Sequence, residues 1–373
     1  MRTRLITLVM AFFALFSGAA HAQATSPQDT KPMPIGVVGL SHDHVNWLFG
    51  DLKRGDIRVV GIVEPDRALA KIYADRYGFS MDLVYDDLDT MLAKAHPVAV
   101  AGFGPIADHV KIVRAAAPRG VHVMVEKPLA LNLAEAREIA TLAAANHVQV
   151  LTNYETTWYP TAAKAESLVA AGSIGPVRKL VFHDGHQGPV KIGVSPAFLA
   201  WLTDPKLNGG GAIIDFGCYG ANQMTWLTKG ARPVAVTAVT RNLQPGDYPR
   251  VDDDATVIVD YADAQGIIQA SWDWPVSRKD MEIYGTTGQI VADDKHVLRV
   301  WKSTPDSVTA TTMTDREAPY DNPFAYFRAV IEGRIVPAAY DPSTLANNLL
   351  VMEILDAARE SARSGKTIHL SQN

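Results

Sequence analysis

Two domains are predicted, a Rossmann-like parallel sheet at the N-terminus and then an α+β domain built on an open antiparallel sheet. The first is read from apolar, β-branched runs that alternate with helical segments as far as residue 152, the pattern of a parallel sheet with crossover helices. The second is read from short alternating runs separated by polar turns from Val177 onward, which suit a sheet with one buried face. A chain of 373 residues, 47% of them hydrophobic, is long enough to give each half its own core.

The chain opens on Arg2 and Arg4, then an apolar run from Leu5 to Phe16 that gives way to small residues and ends at Ala20-His21-Ala22. This is the pattern of a secretory signal peptide, so residues 1–22 are expected to be removed and the mature chain exported, to the periplasm or the medium. The run is shorter than the roughly 20 apolar residues that span a bilayer, and no later stretch approaches that length, so no membrane insertion is expected after cleavage. Residues 23–33 read as a polar linker. Losing the leader removes two arginines and no acid, which takes the formal charge from −5 to −7 and argues against a nucleic-acid partner. Cys218 is the single cysteine, so stability must come from the core and not from an internal disulfide.

The first domain is placed at 34–152. Ile35 to Leu40 is a strand running into a glycine turn. Gly39 opens a G-x-G-x-x-G pattern, which sets a pyrophosphate on a helix N-terminus, but Ser41 and His44 stand where the second and third glycines belong. The Ser41 hydroxyl, with His42 or His44, is expected to donate to phosphate instead. The run Ser41-His42-Asp43-His44 has two other readings: metal ligands, with Asp43 included, or decoration of a loop. The sequence positions no second carboxylate or histidine cluster to complete such a site, so no metal is expected. Asp56 to Glu64 is the second strand. Glu64, 25 residues after Gly39, lies near the spacing of the acid that binds the adenosine ribose, which favours NAD over NADP.

Helices at Arg67–Tyr77 and Asp87–Ala95 flank a short strand at Leu83–Tyr85, and Val98 to Ala101 is a strand that opens into Gly102-Phe103-Gly104-Pro105. A helix from Asp108 to Ala117 leads to the apolar strand Val121–Val125, which ends abruptly in Glu126-Lys127-Pro128. Pro128 forces the chain out of the sheet, leaving Lys127 at the carboxyl end of a rigid strand. Open parallel sheets bind ligands at that edge, so Lys127 is well placed for proton transfer. Asn132 and Glu135 begin a helix to His147, and Val148–Thr152 closes the domain.

The second domain is placed at 153–373. Tyr154 and Glu155, in the aromatic run to Tyr159, suit a sugar, which offers apolar ring faces and hydroxyl edges. Pro160 to Gly172 is a punctuated helix. Strands follow at Val177–His183, Val234–Arg241, Ala255–Tyr261, Ile267–Trp274, Met281–Tyr284 and Val297–Trp301. His183 and His186 fall at a strand end and are expected to line the cleft. Gly209-Gly210-Gly211 leads into a helix on which Asp215 and Tyr219, four apart, share a face with Asn222 one turn further on. A last helix, capped at Asp341 and running to Arg363, is read as structural.

Glu126-Lys127-Pro128, preceded by a Rossmann-like half and followed by the Gly-Gly-Gly…Asp-x-Gly block, resembles the Gfo/Idh/MocA oxidoreductases from about Pro34 to the C-terminus. The resemblance implies hydride transfer between a sugar or polyol carbon and a nicotinamide, with Lys127 as general acid/base and Asp215 and Tyr219 orienting the hydroxyls. Tyrosine replaces the usual histidine at that last position in the glucose-fructose oxidoreductase and dihydrodiol dehydrogenase branches. The resemblance also puts Pro105 and His109 on the loop facing the nicotinamide and Glu126 among the cofactor residues. Ile106 and Glu155 stand where an asparagine and an arginine are usual. Homo-oligomerisation through the open C-terminal sheet is the family's usual arrangement. An exported enzyme has no obvious pool of free dinucleotide, so NAD is expected as a tightly bound group. Two other functions stay open: glycoside hydrolysis, elimination or isomerisation with NAD cycling within each turnover, or a cofactor-less carbohydrate-binding protein.

Overall fold

The computed structural model describes residues 31–371; the leader over 1–22, and all but the last three residues of the 23–33 linker, lie outside the described residues. In the first half, strands β1 (Met33–Val38), β2 (Ile57–Val63), β3 (Val84–Tyr85), β4 (Ala99–Gly102), β5 (His122–Glu126) and β6 (Val150–Asn153) pair in the order β3-β2-β1-β4-β5-β6. Every pairing is parallel. Helices α1 (Val45–Asp51), α2 (Arg67–Tyr77), α3 (Leu88–Ala95), α4 (His109–Ala116) and α5 (Leu133–Asn146) lie in the connections. Asp66, Asp87 and Asn132 cap α2, α3 and α5 by accepting from first-turn backbone N–H groups. The strand order reverses between β1 and β4. Their outgoing loops therefore diverge, and a ligand crevice opens outside the carboxyl ends of the strands.

In the second half, α6 (Pro160–Ala170) precedes β7 (Val177–Gly185). Five short helices follow: α7 (Pro189–Ile192), α8 (Pro196–Leu202), α9 (Pro205–Asn208), α10 (Ala212–Asp215) and α11 (Gly217–Leu227). Then come β8 (Ala235–Arg241), β9 (Asp254–Asp260), β10 (Gln265–Ser271), β11 (Arg278–Gly285), β12 (Gly288–Ala292), β13 (Val297–Ser303) and β14 (Asp306–Thr312). The chain ends with α12 (Pro323–Ile331), α13 (Leu345–Ser364) and β15 (Ile368–His369). The sheet runs β14-β13-β12-β11-β7-β10-β9-β8-β15. α11 packs on β7 and β10, while α13 covers β8 and packs against α11.

The expected fold class holds, and three details differ from the reading of the sequence. The second sheet is mixed, because β7 pairs in parallel with β10; side-chain alternation has the same period in either pairing and cannot separate them. The last helix is capped by Thr344, whose side chain accepts from Asn347 N–H, and not by Asp341. Strand β14 was not foreseen because its Ser/Thr-rich residues are all exposed and carry no apolar period.

The core also crosses the expected boundary. Phe324, Tyr326 and Phe327 of α12, far along the second half, bury against Leu40, Leu48 and Phe103 of the first. Among the described residues, no helix is long and apolar enough to cross a membrane.

Candidate active site

Lys127 leaves the end of β5 and points at α10. Its ammonium pairs with one carboxylate oxygen of Asp215 and donates to the Asp215 carbonyl at 3.0 Å. The other carboxylate oxygen accepts from Trp272 Nε1 at 2.9 Å. Burial alone would lower the lysine pKa, but the adjoining Asp215 charge outweighs it and holds Lys127 above its ordinary value. Burial likewise opposes ionisation of Asp215, yet Lys127 keeps its pKa below the usual carboxylate range. The pair is thus ammonium and carboxylate.

Asp215 is presented by a turn that only glycine permits. A Cβ on Gly211 would lie 1.8 Å from the Asp252 carbonyl oxygen. The Asp252 carboxylate then accepts from Gly211 and Ile213 N–H at 2.9 and 2.7 Å, fixing the start of α10. The helix breaks at Phe216 and restarts as α11, carrying Tyr219 to the same cleft. Lys127 Nζ lies 5.2 Å from the Tyr219 ring centroid and Lys279 Nζ, from β11, lies 4.8 Å from it.

The cleft, of about 350 Å³, is lined by His42, His44, Lys127, His186, Asp215 and Tyr219 among others. His186 Nδ1 accepts from Gly188 N–H at 2.9 Å, which fixes the neutral ring with its proton on Nε2 as a donor. Burial lowers the His186 pKa and favours that neutral form. Lys279 is held by Glu155, which also accepts from the Tyr159 hydroxyl at 2.5 Å. No motif marked Lys279; it is one lysine in an alternating strand, and only sheet pairing brings it here.

A second groove, of about 430 Å³, lies at the switch point of the parallel sheet and is lined by Gly39, Ser41, Glu64, Gly104, Pro105 and Lys111 among others. Gly39 has φ +82°, and a Cβ there would sit 2.9 Å from Gly104 N, so the loops after β1 and β4 approach this closely because residue 39 is glycine. Glu64 accepts from Leu40 and Asp66 N–H at 2.9 and 3.0 Å on the groove wall. Burial raises its pKa. A glycine cradle closed by a strand-end acid fits the adenosine half of a dinucleotide. Ser41 Oγ accepts from Trp201 Nε1 at 3.0 Å, which leaves its own proton for another acceptor.

The groove and the cleft share no lining residue. Trp201 and Phe198 of α8 stand over the loop between them, their rings 5.7 and 4.3 Å from His42. His42 is thereby 2% exposed and turned to the cleft, not to the groove. This corrects its expected role as a phosphate donor.

Other expected site residues also fall elsewhere. His183 pairs with Asp280 at 2.9 Å on the sheet face opposite Phe182 and Asp184, as strand alternation requires. Tyr154 is fully buried, gives its hydroxyl to Asn348 Oδ1 at 3.1 Å, and supports the Tyr219 ring edge-on. Asn222 is one turn too deep; it donates to Pro342 O and Asn347 Oδ1. His109 is 1% exposed, its Nδ1 lies 3.2 Å from Leu129 O, and it is not part of the groove lining. Glu126 turns away from the groove: one oxygen meets His44 Nδ1 at 2.9 Å and the other accepts from Asn153 Nδ2 at 2.8 Å. Burial would raise this carboxyl, but His44 beside it lowers it to about 2.

A parallel sheet with a nucleotide groove beside a lysine–aspartate cleft is matched over both halves by known profiles. Residues 33–154 match the family profile described as oxidoreductase family, NAD-binding Rossmann fold, and residues 162–291 match the GFO/IDH/MocA C-terminal domain. The chain belongs to the Gfo/Idh/MocA family. Trans-1,2-dihydrobenzene-1,2-diol dehydrogenase of Xenopus laevis is 27% identical over 67% of this chain and 71% of its own. D-xylose 1-dehydrogenase (NADP(+)) 2 of Haloferax volcanii is 25% identical over 91% of this chain and 100% of its own. The fold is shared with an inositol dehydrogenase homologue from Azotobacter vinelandii solved with NAD+, at a TM-score of 0.78 and 19% identity, covering 91% and 98% of the two chains.

Proposed function

We propose that this chain is an exported NAD(P)-dependent oxidoreductase acting on a hydroxyl of a sugar or polyol, with Lys127 as the proton-transfer group. The observation that carries the reading is the Lys127–Asp215 pair in a cleft that also holds Tyr219 and the Nε2 donor of His186. Gly39, Ser41 and Glu64 would hold the dinucleotide, which supplies or accepts the hydride when bound. Lys127, an ammonium beside Asp215, gives a proton to the substrate oxygen in reduction and is left as the neutral amine; oxidation runs through that neutral amine, which takes the hydroxyl proton and becomes again the ammonium that Asp215 stabilises. Tyr219 and His186 offer hydrogen bonds to neighbouring hydroxyls, and the Tyr219 ring gives an apolar face for the carbons. The Glu64 carboxylate favours NAD over NADP, because it would repel a 2′-phosphate. Export, which rests on the leader over 1–22, favours a cofactor retained between turnovers.

The test is to denature the purified chain, quantify released nucleotide by mass, and screen sugars and polyols for absorbance change and for product. About one nucleotide per chain and product made by the wild type but not by Lys127→Met supports the reading. An empty chain that ignores millimolar NAD and NADP overturns it in favour of a carbohydrate-binding protein. Product without net nicotinamide reduction would instead favour cycling of the cofactor within each turnover.

A further inference from the structure

We propose that His42, His44 and Glu126 form a site for one divalent transition-metal ion, Zn²⁺ being the simplest fit. The site goes beyond the oxidoreductase reading and does not depend on a nicotinamide.

The three side chains converge from two separate elements. The histidines stand on the turn between β1 and α1, and Glu126 arrives at the end of β5, 82 residues after His44. One ligand atom from each lies within 4.8 Å of the others. His44 Nδ1 and Glu126 Oε2 are already 2.9 Å apart. Adjacent ligands about 2.0–2.2 Å from a tetrahedral ion lie about 3.3–3.6 Å apart, so an ion that replaces the proton the two now share need part them by only about 0.5 Å. For His42 to join, the ligand atoms close in by about 1 Å. His42 Nδ1 also gives up the His44 N–H it accepts at 3.1 Å. One neutral hydrogen bond is thereby exchanged for a metal–nitrogen bond.

The surroundings are those of a supported ligand set. Glu126 Oε1 is fixed by Asn153 Nδ2 at 2.8 Å, and Asn153 Oδ1 in turn accepts from Trp158 Nε1 at 3.0 Å. Outer hydrogen bonds of this kind orient metal-binding carboxylates. The His44 ring stacks on Trp47 at 3.7 Å, and His42 packs on Phe198 at 4.3 Å. Lys127 does not compete for Glu126, because its ammonium is turned to Asp215.

Two imidazoles and one carboxylate select a transition ion over Mg²⁺ or Ca²⁺, which prefer all-oxygen shells. Three protein ligands leave a coordination position open. His42 and His44 share the cleft lining with Lys127, so that position faces the substrate side. A sugar hydroxyl placed there would be held by the ion next to Lys127.

The experiment uses the full chain, stripped with a chelator and titrated with Zn²⁺ and, separately, Mg²⁺ by calorimetry, with metal content then measured by mass spectrometry. One Zn²⁺ per chain and no Mg²⁺ uptake are expected. His44 is 17% exposed, so His44→Ala should keep the fold by circular dichroism and bind Zn²⁺ more than about 100-fold more weakly. Glu126→Gln should do the same. Co²⁺ should show intense visible absorption in the wild type and lose it in His44→Ala. Substoichiometric Zn²⁺, equal uptake of Mg²⁺, or unchanged Zn²⁺ binding in His44→Ala overturns the proposal. Nucleotide released from the same preparations reports on the cofactor separately, so either reading can fail without the other.

Discussion

Lys127 and Asp215, 88 residues apart in the chain, meet as a buried ion pair that ties the parallel sheet of the first half to the helix break of the second. The pair is held from behind by Trp272 and roofed by the Tyr219 ring. It is a structural joint, and both residues line the cleft.

The joint should be costly to break singly. Asp215→Leu leaves the Lys127 ammonium buried without a partner and is expected to lose about 3–5 kcal/mol in urea unfolding. Lys127→Met/Asp215→Leu should recover most of that loss and remain inactive. A double variant no more stable than the worse single one would mean the charges are not the source of the cost.

Lys127→Met alone should lower turnover more than about 100-fold while nucleotide binding persists, since a positioned acid/base contributes about 10²–10⁴. Tyr219→Phe keeps the ring contacts with Lys127, Lys279 and Tyr154 and loses only the hydroxyl. Its stability should stay within about 1 kcal/mol of wild type while kcat/KM falls roughly tenfold, the cost of one lost hydrogen bond to substrate. A Tyr219→Phe enzyme with wild-type kcat/KM would remove the hydroxyl from the mechanism.

His109 sets a pH dependence of stability. Burial holds it to about 4, below the roughly 6.5 of an exposed imidazole. The unfolded chain therefore binds the proton first as pH falls, so the neutral ring's contribution is complete above about 6.5 and lost by about 4. The full effect is about 3 kcal/mol. Urea midpoints for His109→Gln should therefore fall less than those of wild type across that interval. Parallel curves would show that this ring does not titrate as its burial implies.

Trp201 should govern exchange at the nucleotide groove. Its bond to Ser41 and its contact with His42 put α8 over the passage from groove to cleft. Trp201→Ala is expected to release bound nicotinamide dinucleotide about tenfold faster in a dialysis or stopped-flow measurement, because a covering segment of this kind sets release. An unchanged release rate would mean that α8 does not cover the cofactor.

Much of this protein was legible in the order of its residues. Strand and helix periods gave the parallel sheet, the proline after Glu126-Lys127 gave the strand end, and Gly39 with Glu64 gave the groove, because each depends on neighbours within a few residues or on a loop of standard length. Asp215 and Tyr219 were legible as neighbours for the same reason, being four residues apart, although the single helix expected to carry both is broken at Phe216. Only the tertiary structure decided what depends on chain segments far apart. Alternation could place His183 on a strand but not say which face was open, and it put His183 against Asp280, away from the cleft. The local run offered Asp43 as partner to the histidines; in the fold Asp43 accepts from Ser195 N–H at 2.9 Å, and Glu126 comes to His44 instead. Lys279, Trp201 and Trp272 carry no local signal at all, since their roles come from sheet register and helix docking. Periodicity reports which side chains are buried, whereas the identity of the atom they are buried against is fixed by packing over the whole chain.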